Sequence, residues 1–283
     1  MRVTNKPIKG IYVEQYERDQ TFRMPDSHLH PYYELFYLNR GECTFFVNNH
    51  FYELNAGSVV LIPPDTLHST KYKSKKKALR SALFFRLEDL QFPDPHMTEV
   101  TKEKLSSSCV LEIPEMYRPH IEKIIENMIA EERFNNQITS PVMLQLCLMQ
   151  LLILINRFAT GIENIAESIH TSNRQLILAA TFISRNYNRA ITLEEIAKVS
   201  GFSPNYLSRK FHESTGIGVH EYLNLTRLQK ASMELLNTDH TVTEVAMNSG
   251  FSDSNYFKDA FKKMYGVSPR AYRKMQKETV MRE

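Results

Sequence analysis

Four side chains in the N-terminal quarter of the sequence have the types and spacing of a ligand-binding cluster. His28, His30 and Glu34 have the same parity along the chain, and His68 follows them later. Because successive side chains of a strand point to opposite faces, residues of one parity share a face. Imidazole and carboxylate groups on one inward face bind a divalent metal or hydrogen-bond a small polar molecule. We therefore expect these four side chains to converge inside the folded domain.

Three interpretations of this cluster differ in what it holds. In the first, which we favour, it is a metal-free pocket for a small effector, and no cofactor is expected. In the second, His28, His30, Glu34 and His68 hold a divalent metal with open coordination positions, which suits an enzyme or a metal sensor. In the third, the polar groups are satisfied by hydrogen bonds and hold no ligand.

Aromatic residues beside the cluster favour an organic effector. Tyr32, Phe36 and Tyr37 follow His30 closely, and aromatic faces pack well against the C–H surfaces of sugars. We predict a carbohydrate or another small polar molecule as the effector. The predicted effector-binding residues are His28, His30, Glu34, Tyr37 and His68.

Short apolar or alternating runs separated by turn residues fill the chain up to about Phe85. Examples are YYELFYL, CTFFV, SVVLI and ALRSALFF, separated by turn sequences such as NRGE, NNH and NAGS. Such runs are typical of strands and hairpins. So many short strands without an intervening helix predict a small antiparallel β-barrel, which buries the apolar faces and limits exposed edges.

The apolar period becomes helical after Pro114. Apolar residues recur at helical spacing over residues 121–129 and 144–155, which predicts two helices after the barrel. The second helix, residues 142–156, is apolar on nearly every side, and two interpretations fit it: a homodimer interface, or packing on its own barrel. A polar stretch follows. We place the domains at residues 1–160 and 174–283, with a linker at residues 161–173.

An internal repeat occupies the C-terminal third. Residues 192–216 match residues 241–266. The residue types of Thr192, Glu195 and Gly201 recur 49 positions later, whereas those of the last matched residues recur 50 positions later, so the second copy has one extra residue. Each copy begins with a T-x-x-E capping box and has a glycine at the turn between two helices, the pattern of a helix-turn-helix. Ser203 and Ser252 are predicted to cap the second helices.

The outward faces of the two second helices carry side chains that hydrogen-bond base edges or phosphates. They are Asn205, Ser208, Arg209 and His212 in the first copy and Ser254, Asn255, Lys258 and Lys262 in the second. Between the copies, residues 219–236 are predicted to form one helix about 27 Å long, close to the roughly 34 Å of one DNA turn. The two faces are thus predicted to enter successive major grooves of double-stranded DNA.

Charge and composition agree with this interpretation. The 283 residues have a formal net charge of +3, and residues 171–283 carry 16 Lys and Arg against 11 Asp and Glu, which suits an anionic partner. Three widely spaced cysteines indicate neither a disulfide framework nor a zinc finger. The apolar runs are shorter than the about twenty residues of a membrane span, and the N-terminus lacks an export signal. We expect no membrane partner and a cytoplasmic location.

Residues 175–273 resemble the AraC/XylS family of bacterial transcription regulators, most specifically in the string GFSDSNYFKDAFKKMYGVSPRAYR from Gly250 onward. The resemblance implies two helix-turn-helix subdomains joined by a long helix, with promoter DNA and RNA polymerase as partners and no catalysis. It places base contacts on Asn205, Ser208, Arg209, Ser254, Asn255 and Lys258. One departure is Asp259, where the family often has a basic residue; phosphates repel a carboxylate that faces DNA.

The histidine segment resembles the cupin pattern, in which two His, a Glu and a later His converge in a small barrel, although Asp65 and Tyr72 depart from it. The predicted fold is α+β with two domains: an N-terminal cupin-like antiparallel β-barrel followed by helices, and a C-terminal all-α tandem helix-turn-helix domain. We expect a homodimeric transcription factor. The alternative from another class is a cupin metalloenzyme or metal sensor fused to a DNA-binding unit.

Overall fold

The structure of the chain is a computed structural model that describes residues 10–22, 30–72, 74–90, 92, 95–161 and 171–280. The strands are β1 (Tyr12–Arg18), β2 (Tyr33–Arg40), β3 (Glu42–Val47), β4 (His50–Asn55), β5 (Ser58–Ile62), β6 (His68–Lys71), β7 (Ala78–Phe85), β8 (Cys109–Glu112) and β9 (Thr160–Gly161). The helices are α1 (Pro95–Leu105), α2 (Arg118–Phe134), α3 (Ser140–Phe158), α4 (Thr171–Asn186), α5 (Leu193–Ser200), α6 (Pro204–Thr215), α7 (Val219–Asn237), α8 (Val242–Asn248), α9 (Ser254–Tyr265) and α10 (Pro269–Val280).

The strands form two antiparallel sheets that enclose the barrel core. The large sheet has the order β1-β7-β2-β5-β8-β9, and the small sheet has the order β4-β3-β6. Alternate residues of both sheets point inward, because the side chains of a strand alternate between its faces. They form one apolar cluster that includes Phe36, Leu38, Phe45, Val60 and Ile62. The predicted two-domain α+β fold with an antiparallel β domain is confirmed.

Three strands, β6, β8 and the two-residue β9, and one helix escaped the sequence prediction. β6 has the polar sequence HSTK, and β8 is only four residues long. Neither carries the alternation that marks a half-buried strand. β6 exists because it pairs with β3, and β8 exists because it pairs with β5. α1, between them, has a largely polar sequence.

α2 and α3 cover the outer face of the large sheet, as the helical period after Pro114 predicts. Their inward residues, among them Ile121 and Leu148, pack with Leu35 and Leu83 of the sheet in one cluster. α3 is long and apolar enough to cross a membrane by length and composition alone, with a mean hydropathy of 1.6. It is longer than the predicted helix of residues 142–156, because helical hydrogen bonding continues through its polar ends. One side of α3 packs in the core cluster, at Leu144, Leu148 and Ile155, whereas Val142, Met143 and Leu146 on its other side are exposed.

The two predicted helix-turn-helix units are α5–α6 and α8–α9. α7 joins them and supplies both cores: Tyr222 and Leu225 pack with α4 to α6, whereas Leu228 and Leu235 pack with α8 to α10. α7 has 19 residues, so it is about 28 Å long. This length agrees with the predicted helix of residues 219–236.

Both first helices start at the predicted capping boxes. Thr192 and Thr241 accept the N–H groups of Glu195 and Glu244, whose carboxylates accept the threonine N–H groups in return. The predicted Ser252 cap of the second copy is wrong. Asp253 is the N-cap of α9, and its Oδ1 accepts the N–H of Asn255 at 2.7 Å. The extra residue of the second copy shifts the cap by one position.

The small sheet packs on the DNA-binding unit. Phe46, Phe51 and Leu67 join the apolar cluster of α4 to α7, and the ring of Phe46 lies 5.9 Å from that of Tyr222. The Tyr222 hydroxyl donates to the side chain of Asn49, at the tip of the β3–β4 hairpin. The described parts of the two predicted domains therefore share a packed interface.

Candidate DNA-binding and effector sites

α6 presents the predicted polar residues of the first copy to solvent. Leu207 and Phe211 are fully buried against the unit's core, so the other side of this amphipathic helix faces outward. Asn205, Ser208, Arg209 and His212 are all exposed. The Arg209 guanidinium lies 5.4 Å from the ring of Tyr206, which holds it along the exposed helix face.

α9 repeats this arrangement in the second copy. Phe257 and Phe261 are fully buried. Asn255, Lys258 and Lys262 are exposed, and Ser254 is half-buried at the first turn. The Lys258 ammonium lies 3.5 Å from the Asn255 side-chain oxygen. Asp259 is exposed beside them, so a carboxylate adjoins the basic residues of this face.

The structure brings His30, Glu34 and His68 together at one end of the barrel interior. The Nε2 atom of His30 lies 2.9 Å from Glu34 Oε2, and that of His68 lies 3.1 Å from the same oxygen. All three residues are buried. His30 precedes β2, so its proximity to Glu34 comes from the bend at residues 31–32 rather than from strand parity. His28 lies outside the described residues.

Aromatic rings and backbone carbonyls fix both imidazoles. His68 stacks on Phe45 with ring centroids 6.0 Å apart, and Phe84 meets the ring of His30 edge-on at 5.4 Å. The Nδ1 atom of His30 lies 3.0 Å from the carbonyl oxygen of Tyr32, and that of His68 lies 2.8 Å from the carbonyl oxygen of Thr66. Each ring thus has one orientation, with its Nε2 toward Glu34.

The carboxyl group of Glu34 is ionised in this environment. Burial by itself raises the pKa of Glu34, but interactions with His30 and His68 lower it by more, so the pKa lies well below 4.5. Hydrogen bonds to a buried carboxylate stabilise its charged form. The two imidazoles therefore hold a charged carboxylate inside the barrel.

Tyr37 does not belong to this cluster, contrary to the prediction. It has the opposite parity to Glu34 on β2, so it points out of the barrel toward α2. Its hydroxyl donates to Glu122 Oε1 at 3.2 Å. Tyr32 stacks on His30 at 6.4 Å between ring centroids, and Phe36 lies in the barrel core.

The loop of residues 63–67 links the cluster to the DNA-binding unit, and sequence reasoning missed this role. Asp65 donates its N–H to the carbonyl of His30 at 2.9 Å. Its carboxylate oxygen Oδ2 accepts the hydroxyl of Tyr272 at 3.0 Å and lies 3.3 Å from that of Ser232. Burial raises the pKa of Asp65 to about 6, although the hydrogen bonds from these hydroxyls lower it in part. In the sequence, the only unusual feature of Asp65 is its departure from the cupin pattern.

Comparisons with known proteins agree with both halves of this architecture. Residues 11–91 match a family model described as AraC-like ligand binding domain, and residues 196–275 match one described as helix-turn-helix domain. An uncharacterised HTH-type transcriptional regulator of Staphylococcus aureus is 24% identical over 83% of this chain and 30% of its own length. The uncharacterised HTH-type transcriptional regulator YijO of Escherichia coli is 41% identical over 39% of this chain and 40% of its own length.

Among solved structures, one match spans most of the chain. A crystal structure of an apo ToxT variant from Vibrio cholerae is 15% identical, covers 95% of this chain and 98% of its own, and has a TM-score of 0.40. The chain spans about a third of the length of the Staphylococcus aureus relatives that it matches.

An AraC-like ligand-binding barrel followed by a tandem helix-turn-helix domain defines a class of regulators in which sensing and DNA-binding modules share one chain. The chain belongs to the AraC/XylS family of transcriptional regulators.

Proposed function

We propose that the chain is a sequence-specific, cytoplasmic transcription factor that binds promoter DNA through α6 and α9. The observation that carries this proposal is the paired arrangement of two capped helix-turn-helix units on α7, each with an exposed polar helix face. A helix of this size fits the major groove, and side chains such as Arg209 and Asn255 suit bidentate contacts with bases. About 28 Å of α7 separates the two units, which suits adjacent grooves.

A small effector bound in the barrel is the proposed signal. The loop of residues 63–67 lies between the polar cluster and the DNA-binding unit, so a ligand at the cluster contacts the same segment that holds the domains together. Differential affinity of the effector for two domain arrangements would shift their populations. We propose that the effector is a small polar molecule. A carbohydrate that packs against the ring of Tyr32 is one class to be tested.

The partners we propose are a second copy of the chain and RNA polymerase. The exposed apolar residues Val142, Met143 and Leu146 on α3 suit a homodimer interface. RNA polymerase is the partner that the family resemblance implies for a regulator bound at a promoter. Light scattering of the purified full chain measures the first proposal directly, and a monomer at micromolar concentration contradicts it.

Selection of bound duplexes from a random DNA library by the purified full chain tests the DNA-binding proposal. The expected result is an enriched site with two short conserved blocks separated by about one helical turn, 10 to 10.5 base pairs centre to centre. A library that shows no enrichment, with folded protein, contradicts the proposal. Repeating the selection with a panel of sugars and organic acids identifies compounds that change the affinity.

A further inference from the structure

The inner face of the barrel carries two arginines close to each other. In the register of the large sheet Tyr16 pairs with Arg80, and Arg18 lies two residues further along β1. Arg80 also pairs with Leu38, whose side chain belongs to the barrel core, so these side chains share the inward face. The guanidinium groups of Arg18 and Arg80 lie 4.5 and 5.9 Å from the centroid of the Tyr16 ring. Two cations therefore share one small region of the interior.

Within the described part of the chain, one carboxylate group contacts this arginine pair. Glu14 Oε1 lies 2.7 Å from Arg80 Nη2, and both side chains are largely buried. The Arg18 guanidinium donates from Nη1 to the carbonyl oxygen of Glu17 at 3.1 Å, and its buried Nε has no hydrogen-bond partner. Burial and the positive charge of Arg80 lower the pKa of Arg18. The positive charge of the pair is therefore only partly compensated by Glu14.

The pair lies at a seam between the two sheets. β1 is one edge of the large sheet and β6 is one edge of the small sheet, and no described strand pairs with either outer edge. Tyr72 follows β6 directly, and its buried side chain is near enough to both guanidinium groups to interact with them electrostatically. The ring of Phe22 lies 5.9 Å from that of Tyr72 and 4.5 Å from the Arg18 guanidinium. Aromatic surface therefore borders the two cations.

The chemistry of this region favours an organic anion as its ligand. Two neighbouring guanidinium groups repel each other, and a buried positive charge is costly without a partner. The planar guanidinium group binds carboxylate and phosphate oxygens through parallel N–H donors. The rings of Tyr16 and Phe22 next to these donors pack well against the apolar surface of an organic molecule.

We propose that Arg18 and Arg80 bind the carboxylate or phosphate group of a small organic anion, and that this anion is the effector of the proposed function. Arg80 lies opposite Leu38, four residues along β2 from Glu34, so the anion site is distinct from the histidine cluster. The role of the anion as a signal rests on the proposed function, whereas its binding does not. The proposal narrows the effector to an organic acid or a phosphate ester rather than a neutral molecule.

The seam is one strand away from the first recognition helix. Lys71, the last residue of β6, donates from its ammonium group to the backbone carbonyl of Glu213 near the end of α6. Tyr72, the next residue, lies beside the arginine pair. An anion that fixes this side of the seam against β1 therefore acts on the strand that contacts α6, which is a direct route from the barrel to the DNA-binding face.

Calorimetric titration of the full chain with phenylacetate, phenyl phosphate and the neutral phenylacetamide tests the site. We expect at least one of the anions to bind with one equivalent per chain, and the amide to bind at least about tenfold more weakly. Arg18→Gln removes a charge and leaves the contact of Glu14 with Arg80 in place. It is expected to weaken anion binding by roughly 10- to 100-fold, the cost of one hydrogen bond to a charged group.

Arg40→Gln is the matched control, because Arg40 is an exposed arginine of the same domain whose guanidinium pairs with Glu17. It should bind the anions as the wild type does. A loss of binding in Arg40→Gln equal to that in Arg18→Gln would assign the anions to surface charge and overturn the proposal. If Arg18→Gln does not fold, Arg18→Lys replaces it. Lysine keeps the charge but lacks the planar donors, so weaker binding is again expected and unchanged binding overturns the proposal.

Three further outcomes overturn the site. They are the absence of binding of both anions to the wild-type chain at millimolar concentration, equal affinity for the amide and the anions, and anion binding that Arg18→Gln leaves unchanged. DNA affinity is a separate readout. Anion binding that does not change DNA affinity supports the site and contradicts its role as effector site. An enriched DNA site without anion binding supports the transcription factor and overturns the anion site.

Discussion

Arg209 is the residue on the first recognition face whose chemistry most directly predicts base reading. Its side chain is 68% exposed, and its nearest carboxylate, that of Glu213, lies 3.9 Å away. An arginine paired with a guanine contributes about 1–3 kcal/mol of discrimination. Arg209→Ala is therefore expected to weaken binding to the selected site by this amount and to relax the preference at one base pair. Fluorescence anisotropy on the site and on single-base variants measures both effects.

Arg133→Ala is the matched control for Arg209, because Arg133 is exposed on α2, which packs on the large sheet. It should leave DNA affinity unchanged. A loss in Arg209→Ala that is equal on the selected site and on random DNA would assign Arg209 to phosphate rather than to a base.

At the scale of elements, the turns of the helix-turn-helix units depend on backbone conformation. Gly250 has a φ of +84°, and a Cβ atom there would clash with the carbonyl oxygen of Tyr187. Gly216, which ends α6 rather than lying in such a turn, has a similar φ of +81°, with no atom near an added Cβ. Gly216→Ala is expected to cost about 1–2 kcal/mol of unfolding free energy from backbone strain alone. Gly250→Ala should cost roughly 1–3 kcal/mol more from overpacking; equal urea midpoints for the two variants would contradict this.

The capping boxes predict a pH dependence of stability. Hydrogen bonds from the backbone N–H groups of Thr192 and Thr241 lower the pKa values of Glu195 and Glu244 below 4.5. A carboxyl whose pKa is lower in the folded state stabilises the fold above its unfolded pKa, and this contribution disappears as the pH falls through the folded pKa.

The double variant Glu195→Gln, Glu244→Gln keeps neutral acceptors at both caps and removes the titrating groups. It is expected to be less stable than the wild type at pH 6, and the difference should shrink as the pH falls below about 4.5. Urea unfolding of both proteins at pH 6 and at pH 4 measures it. A difference that is constant with pH would show that the caps do not depend on charge.

The whole molecule depends on how the barrel docks on the DNA-binding unit. Tyr272→Phe removes one of the two hydroxyls that lie within hydrogen-bond distance of Asp65 Oδ2. Loss of one hydrogen bond costs about 0.5–1.5 kcal/mol, so the variant should unfold at lower denaturant and reduce any effect of the effector on DNA affinity. Tyr256→Phe is the control, because that hydroxyl belongs to a side chain that is 53% exposed. Equal stability of the two variants would show that the Asp65 contact does not hold the domains together.

The sequence by itself determined the helix-turn-helix pair and most of the strands. Capping boxes, turn glycines and the repeat at 49 and 50 positions act within a few residues, so their effect is readable along the chain. The sequence also determined that Glu34 lies on the face of its strand that points into the barrel.

Only the tertiary structure decided which distant residues meet. His68 reaches Glu34 because β6 pairs with β3, although the sequence of β6 carries no strand signal. Tyr37 faces α2 rather than the cluster, and Asp65 meets a hydroxyl 207 positions away. The physical reason is that burial and hydrogen bonding of a side chain depend on the element packed against its face. That element is chosen by the pairing of distant segments rather than by neighbours along the chain.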